Sequence, residues 1–339
     1  MSEIRPLDPD AQQLLRLAAE AGYPPFEALL PVQARKAYAA SWSVMQTSGG
    51  EVASVVDTEI AGPAGPLAVR IYRGLGTDAN AALPCLLFLH GGGWVIGNLE
   101  SHDRLCRRLA NRAGICVVAV DYRLAPEHPF PAALDDAAVA LHWLAAEADR
   151  LCIDSERIAV GGDSAGGNLA AALALMARDG QVPAVLYQAL FYPVLDLTAS
   201  SDAYRRITHG VPLTAATMRY FIAHYTPQAQ CRLDWRASPL RAPSLEGLAP
   251  ALVLTVAHDP LCDEGLAYVQ RLSDAGVRVT HIHCNDQMHG VLSQGRMVPA
   301  GDAIADALGH NLSHALHRNS DPDFSTPTAG KAGQPQETT

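Results

Sequence analysis

Apolar residues along this chain fall into short unbroken runs, and the runs alternate with longer stretches of helical spacing. Residues 85–90 and 115–121 are continuous apolar runs, the pattern of strands covered on both faces. Residues 157–161, 184–192, 251–257 and 277–283 read as further strands. Between them, 105–113, 132–148 and 264–274 have helical periodicity. Leu134, Ala138, Leu141, Leu144 and Ala145 share one face of the second. Ile304, Ala307, Leu308, Leu312 and Ala315 mark a closing helix. Repeated strand-then-helix units predict an α/β fold: a mostly parallel sheet with helices on both faces.

The flanks depart from that rhythm. Asp8-Pro9 predicts a helix start, with Leu14, Leu17, Ala18 and Ala21 at helical spacing and Gly22 with Pro24-Pro25 as the stop. A second helix is expected over 32–42. Both precede any strand, so they are expected to cap the sheet rather than join it. Residues 54–60 and 67–72, across Gly62-Pro63-Ala64-Gly65-Pro66, predict an antiparallel hairpin. Residues 200–247 are irregular apart from a helix expected over 215–225. Residues 319–339 turn to Pro, Gly, Thr, Ser and Gln, the composition of a disordered tail.

Composition narrows the function. The 25 basic and 35 acidic residues leave a formal charge of −10, which excludes a basic nucleic-acid face. No apolar run approaches the roughly 20 residues needed to span a bilayer. Residues 1–10 are polar with two prolines and lack the apolar core of a secretory signal, so a cytoplasmic location is expected. The seven cysteines are scattered without a C-x-x-C pair, so free thiols are expected and neither a disulfide framework nor a metal site.

Residues 158–168 change the picture most. Ile-Ala-Val-Gly leads into Gly162-Asp163-Ser164-Ala165-Gly166, and an Ala/Leu-rich run follows. That is strand, sharp turn and helix, with Ser164 exposed at the apex and at the positive end of a helix. A serine hydroxyl needs a base, a group to hold that base, and donors for the oxyanion it creates. His90-Gly91-Gly92-Gly93-Trp94, directly after a strand, can turn backbone N–H groups inward, and Ala165 adds another. Among 13 histidines, His289 follows the strand at 277–283 across a short polar stretch, last in the order serine, acid, histidine. His258 is the alternative. Asp259 follows the strand at 251–257 and precedes Pro260, which restricts its backbone to extended forms. Asp263 is the alternative acid, although Asp263 and Glu264 also suit a helix N-terminus.

Together, His90 to Trp94, Gly162 to Gly166, Asp259-Pro260-Leu261 and His289-Gly290 resemble the bacterial hormone-sensitive-lipase branch of the α/β-hydrolases. Residues 121–132 and Tyr192-Pro193 agree with the resemblance. It implies an eight-stranded, mostly parallel sheet over residues 51–318. It also implies a helical cap built from about 1–50 and 200–240. Ser164 would be the nucleophile, His289 the general base then acid, and Asp259 its orienter. Gly92, Gly93 and Ala165 would form the oxyanion hole. The implied substrate is a short- to medium-chain carboxylic ester, with no cofactor or metal. Members often pair, so a homodimer is an expected assembly. The same triad would also serve amides, lactones or carbamates. Plant gibberellin receptors of this fold bind a small ligand without the histidine, and this chain retains His289. Trp94, Trp42, Phe221 and Tyr225 are candidate pocket walls, or simply cap packing. Two departures bear on the pocket: Cys262 stands where arginine is usual, and Val291 where an aromatic residue commonly follows His-Gly.

Overall fold

The computed structural model describes residues 5–317. In chain order the main elements are α1 (Pro9–Ala21), α2 (Pro31–Met45), β1 (Ser54–Gly62), β2 (Gly65–Arg73), β3 (Leu83–Leu89), α3 (Leu99–Ala113), β4 (Cys116–Val120), α4 (Ala132–Ala146), β5 (Ile153–Asp163), α5 (Ala165–Arg178), β6 (Tyr187–Phe191), α6 (Asp202–Arg206), α7 (Ala215–Tyr225), β7 (Ala251–His258), α8 (Cys262–Asp274), β8 (Val279–Met288) and α9 (Ala300–His317). The strands form one eight-stranded sheet in the order β1-β2-β4-β3-β5-β6-β7-β8. The β1–β2 hairpin and the β2–β4 pair are antiparallel, and the other pairs are parallel.

Alternation along the central strands creates two cores. Leu87, Leu89, Val118, Val160 and Val253 face one side, against α4, α5 and α8. Leu86, Phe88, Val117, Ala159 and Leu254 face the other, against α3 and α9. Every residue of β3, β4 and β6 is buried, which is why these segments are apolar apart from Gln188. Helix α5 is buried from Ala165 to Leu175 and, apart from Asn168, is accordingly apolar or small on all sides.

Local chemistry sets several boundaries. The Asp8 carboxylate accepts from the amides of Asp10 and Ala11, Pro9 opens α1, and Gly22 closes it at φ 66°. Thr214 caps α7 through the Thr217 amide. Two boundaries differ from expectation. Helix α3 starts at Leu99, earlier than its apolar spacing shows, because its first turns bury polar Ser101 and His102 instead of aliphatics. Strand β8 continues through Asn285, Asp286 and Gln287, so the stretch before His289 is strand and not loop. Pairing of Met288 with His258 carries the ladder that far.

The flanking segments divide. The Phe26–Ala28 turn meets α7, with Phe26 and Phe221 rings 6.1 Å apart and Thr217 Oγ1 donating to Glu27 at 2.8 Å. Residues 229–245 instead bind the body around the sheet. Asn168 donates to Ala237 O, Leu240 N to Leu195 O, and Arg271 to Ala242 O. The expected tail at 319–339 and residue 318 lie outside the described residues.

Strand β3 and the start of α5 approach each other so closely that glycine is required between them. A Cβ built on Gly166 would overlap the Leu89 carbonyl, and one on Gly162 would meet both Leu89 O and Gly166. Gly166→Ala is expected to lower unfolding free energy by about 1–3 kcal/mol, through forced backbone displacement. Urea denaturation checks it; an unchanged midpoint contradicts the close approach.

Candidate active site

Ser164 sits between β5 and α5 at φ 55°, ψ −116°, a conformation that L-residues rarely adopt. Three backbone bonds hold it there. Its amide donates to Phe191 O at 2.8 Å, and its carbonyl accepts from Asn168 N and Val194 N, both at 3.1 Å. The hydroxyl is thereby raised above the C-terminal ends of the parallel strands. The residue is only 6% exposed, so a reacting group there is largely out of bulk water.

Strands β7 and β8 deliver the two remaining groups. Asp259 follows β7 and is fully buried. One of its oxygens accepts from Leu261 N at 2.9 Å, and the other lies 2.7 Å from His289 Nδ1. His289 follows β8, and its Nε2 lies 2.9 Å from Ser164 Oγ. A carboxylate only accepts, so Nδ1 carries the proton and Nε2 is free to accept the serine proton. The Tyr192 ring, 4.6 Å from the imidazole, backs it from the side.

The rival residues lie elsewhere. His258 Nε2 contacts Arg5 O at 2.9 Å. Asp263 accepts from Ala203 N at 2.7 Å and pairs with Arg206 at 3.2 Å. Glu264 is buried and accepts from Leu195 N at 2.7 Å. Burial and the charges of Asp259 and Asp263 push the Cys262 thiol up to about 12, which removes it as a nucleophile near neutral pH.

The loop after β3 faces the serine. Gly92 and Gly93 have φ 122° and 58°, and the loop closes on itself as Val95 N and Ile96 N donate to Gly92 O. The Gly92 and Gly93 amides donate to no other group among the described residues. The Ala165 amide opens α5, where no preceding helical carbonyl can take it. His90, although first in the glycine run, points away. Its ring stacks on Tyr122 at 4.2 Å, and burial together with nearby His102 drives its pKa down to about 3.

The four wall candidates separate. Phe221 packs against Gly93, so closely that a Cβ on that glycine would enter the ring. Trp94 and Tyr225 are fully buried and stacked on each other at 4.2 Å, so they brace the loop from behind rather than line a pocket. Trp42 lies beside the Arg104 guanidinium on α3, one helical turn after Tyr38. The Tyr38 hydroxyl lies beside Ser101, and burial together with the Asp163 charge raises its pKa. The sequence reading named Tyr192 only within a stretch that fits the resemblance, and it passed over Tyr38 and His102. The only signal available for Tyr38 was its i,i+4 spacing from Trp42, which places both on one face of α2.

Comparison with known proteins agrees with this arrangement. The family model described as alpha/beta hydrolase fold matches residues 86–293. The chain belongs to the α/β-hydrolase family. Within it, the motifs and relatives are those of the hormone-sensitive-lipase-like branch. This α/β-hydrolase is 39% identical over 317 residues to an ethyl acetate hydrolase of Pseudomonas putida, covering 90% of this chain and 99% of that one. It superposes with TM-score 0.87, at 40% identity, on an ester-hydrolase from the metagenome of Lake Arreo complexed with a bipyridine phosphonate derivative. That match covers 91% of this chain and 98% of the other. An esterase from the archaeon Pyrobaculum calidifontis superposes at 0.85 with 38% identity, over 92% and 100% of the two chains.

Arg35 ties α2 of this α/β-hydrolase to the glycine loop. It donates to Val95 O at 2.8 Å and Ala125 O at 2.9 Å, and grips Glu127 through both guanidinium arms. The Arg35 hydrogen bonds hold the Glu127 carboxyl down at about 2, below its ordinary 4.5. A depressed carboxylate contributes stability above about pH 4.5, and that contribution is lost as pH falls towards 2. Glu127 is half exposed, so the contribution is expected to stay below about 1 kcal/mol. The wild-type advantage in melting temperature over Glu127→Gln should therefore be largest above pH 5 and vanish near pH 2, as differential scanning fluorimetry can measure.

Proposed function

We propose that this α/β-hydrolase is a serine carboxylesterase acting on small carboxylic esters through an acyl-enzyme. The observation that carries the proposal is the unbroken chain from Asp259 Oδ2 to His289 at 2.7 Å and from His289 to Ser164 Oγ at 2.9 Å, beside unused loop amides.

His289 takes the Ser164 proton at Nε2 as the hydroxyl attacks the ester carbonyl. The carbonyl oxygen becomes an oxyanion, held by the amides of Gly92, Gly93 and Ala165. Asp259 keeps the proton on Nδ1 and stabilises the imidazolium. The tetrahedral intermediate then collapses, and the alcohol leaves with the proton from Nε2. Water enters, His289 removes its proton, and the second collapse releases the acid and restores Ser164. The proton transfers run along the Asp259–His289–Ser164 hydrogen bonds, and no step calls for a metal or cofactor.

The substrate class is supported by the surroundings. Phe221 against Gly93 and Tyr38 beside Ser101 bring aromatic surface close to the reacting centre, which suits a small acyl or alcohol group. The Pseudomonas putida relative is an ethyl acetate hydrolase, and that substrate lies in this range. We take the cover over the site to be built from residues 26–50 and 200–225, narrower than the 1–50 and 200–240 expected from sequence. Residues 229–245 and α1 hold to the body instead.

Ser164→Ala should abolish hydrolysis of p-nitrophenyl acetate while leaving the circular dichroism spectrum and melting temperature near those of the wild type. Activity retained in a folded Ser164→Ala protein would end the proposal. Asp259→Asn should lower kcat by about 10⁴-fold through the wrong imidazole tautomer. A loss of ten-fold or less would remove Asp259 from the role given to it.

A further inference from the structure

Two buried polar side chains beside the site take no part in the chemistry above. Asp163 precedes the nucleophile at the end of β5, and His102 lies in the first turns of α3. Their side chains are 8% and 2% exposed. Asp163 Oδ1 accepts from the Gly91 amide at 2.9 Å and faces His102 Nε2 at 3.1 Å.

The imidazole is fixed at both ends. Ser101 Oγ donates to Asn98 O at 2.8 Å and meets His102 Nδ1 at 2.9 Å. Ser101 is itself locked in the α3 cap, where its hydroxyl accepts from Asn98 N. The ring is flanked by Phe88 at 6.1 Å and His90 at 5.6 Å. Burial alone would raise the Asp163 carboxyl. The neighbouring His102, with the Gly91 amide, reverses that and holds it below its ordinary value.

Gly91 immediately precedes the two glycines whose amides point at the reacting carbonyl. It has no room for adjustment on this side, since an added Cβ would overlap the Asp163 carboxylate. The aspartate is covalently next to Ser164. One carboxylate therefore links the nucleophile turn to the donor loop, and His102 fixes the direction in which it points.

We propose that His102, acting through Asp163, is a positioning residue that sets the glycine-loop donors at the correct distance from the Ser164 oxygen. This rests on the esterase reading above. Neither side chain reaches the substrate, so the effect falls on the transition state, where the oxyanion forms, and little on ground-state binding.

The test compares wild type, His102→Ala, His102→Gln and Asp163→Asn in p-nitrophenyl acetate hydrolysis, with hydrogen exchange of the peptide spanning residues 90–97. His102→Ala should lower kcat by about 10- to 100-fold, with KM changed by no more than about two-fold. Exchange in the 90–97 peptide should rise. His102→Gln should recover part of kcat, because its amide can still donate towards Asp163. Should His102→Ala fail to fold, Asp163→Asn keeps an acceptor for Gly91 without the charge, and it should show the same split between kcat and KM. Wild-type kcat with unchanged exchange in a folded His102→Ala protein would overturn the positioning role and leave the esterase reading intact. A wild type without Ser164-dependent hydrolysis would overturn the esterase reading, while the exchange data would still decide whether His102 orders the loop.

Discussion

The backbone at Ser164 is the constraint on which the rest of the site depends. A non-glycine residue held at positive φ in this way costs on the order of 1–3 kcal/mol, and it persists only where its surroundings over-determine it. Here the surroundings are explicit. Phe191 O takes the amide, Val194 and Asn168 take the carbonyl, and Gly162 and Gly166 let β3 pass almost in contact. These partners come from β3, β5, α5, β6 and the loop after β6, so the turn is fixed by the sheet and the helix packed on it. Once it is fixed, the hydroxyl has one direction, and the histidine and the loop amides are built around that direction.

Buried polar groups carry out the fixing. Asn168 spans Val194 O and Ala237 O. Glu264, whose burial raises its carboxyl well above the usual range, accepts from Leu195 N. Asp163 takes the Gly91 amide. All three secure irregular backbone at the C-terminal edge of the sheet, where no strand ladder can satisfy it. A buried amide left without a partner would cost about as much as the bond gains, so these side chains are needed wherever the chain leaves the sheet but stays inside the protein. The aromatic groups do the complementary work. Trp94 on Tyr225 and Phe221 on Gly93 press the glycine loop inward without offering it alternative hydrogen bonds.

Much of this was legible in the residues. The strand–turn–helix around Ser164, the hairpin before the sheet and the cap at Asp8 depend on near neighbours in the chain, and short-range preference describes them well. The acid and the histidine were legible by order and by their place after strands. The start of α3 was not, because it buries polar Ser101 and His102, and the partner of His102 is Asp163 at the distant end of β5. The end of β8 was hidden for a related reason. Asn285, Asp286 and Gln287 look like loop residues, and they continue the strand because they bridge the β7 pairs of Cys284 and Met288 across a register shift. Tyr38 was passed over because the placement of α2 is set by Arg35 reaching Val95 and Ala125, a contact no local pattern contains.

The sequence by itself determined the alternation of strands and helices, the glycines that permit two unusual turns, and the order in which the reactive residue types occur. Those features follow from backbone preference and apolar periodicity, which act over a few residues. Tertiary structure alone decided that His289 meets Ser164 and Asp259 while His258 and Asp263 do not. It also decided which aromatic rings face the reacting centre. The reason is physical: the meeting of side chains from β5, β7 and β8 depends on strand order and register, and these are set by the packing of both cores at once.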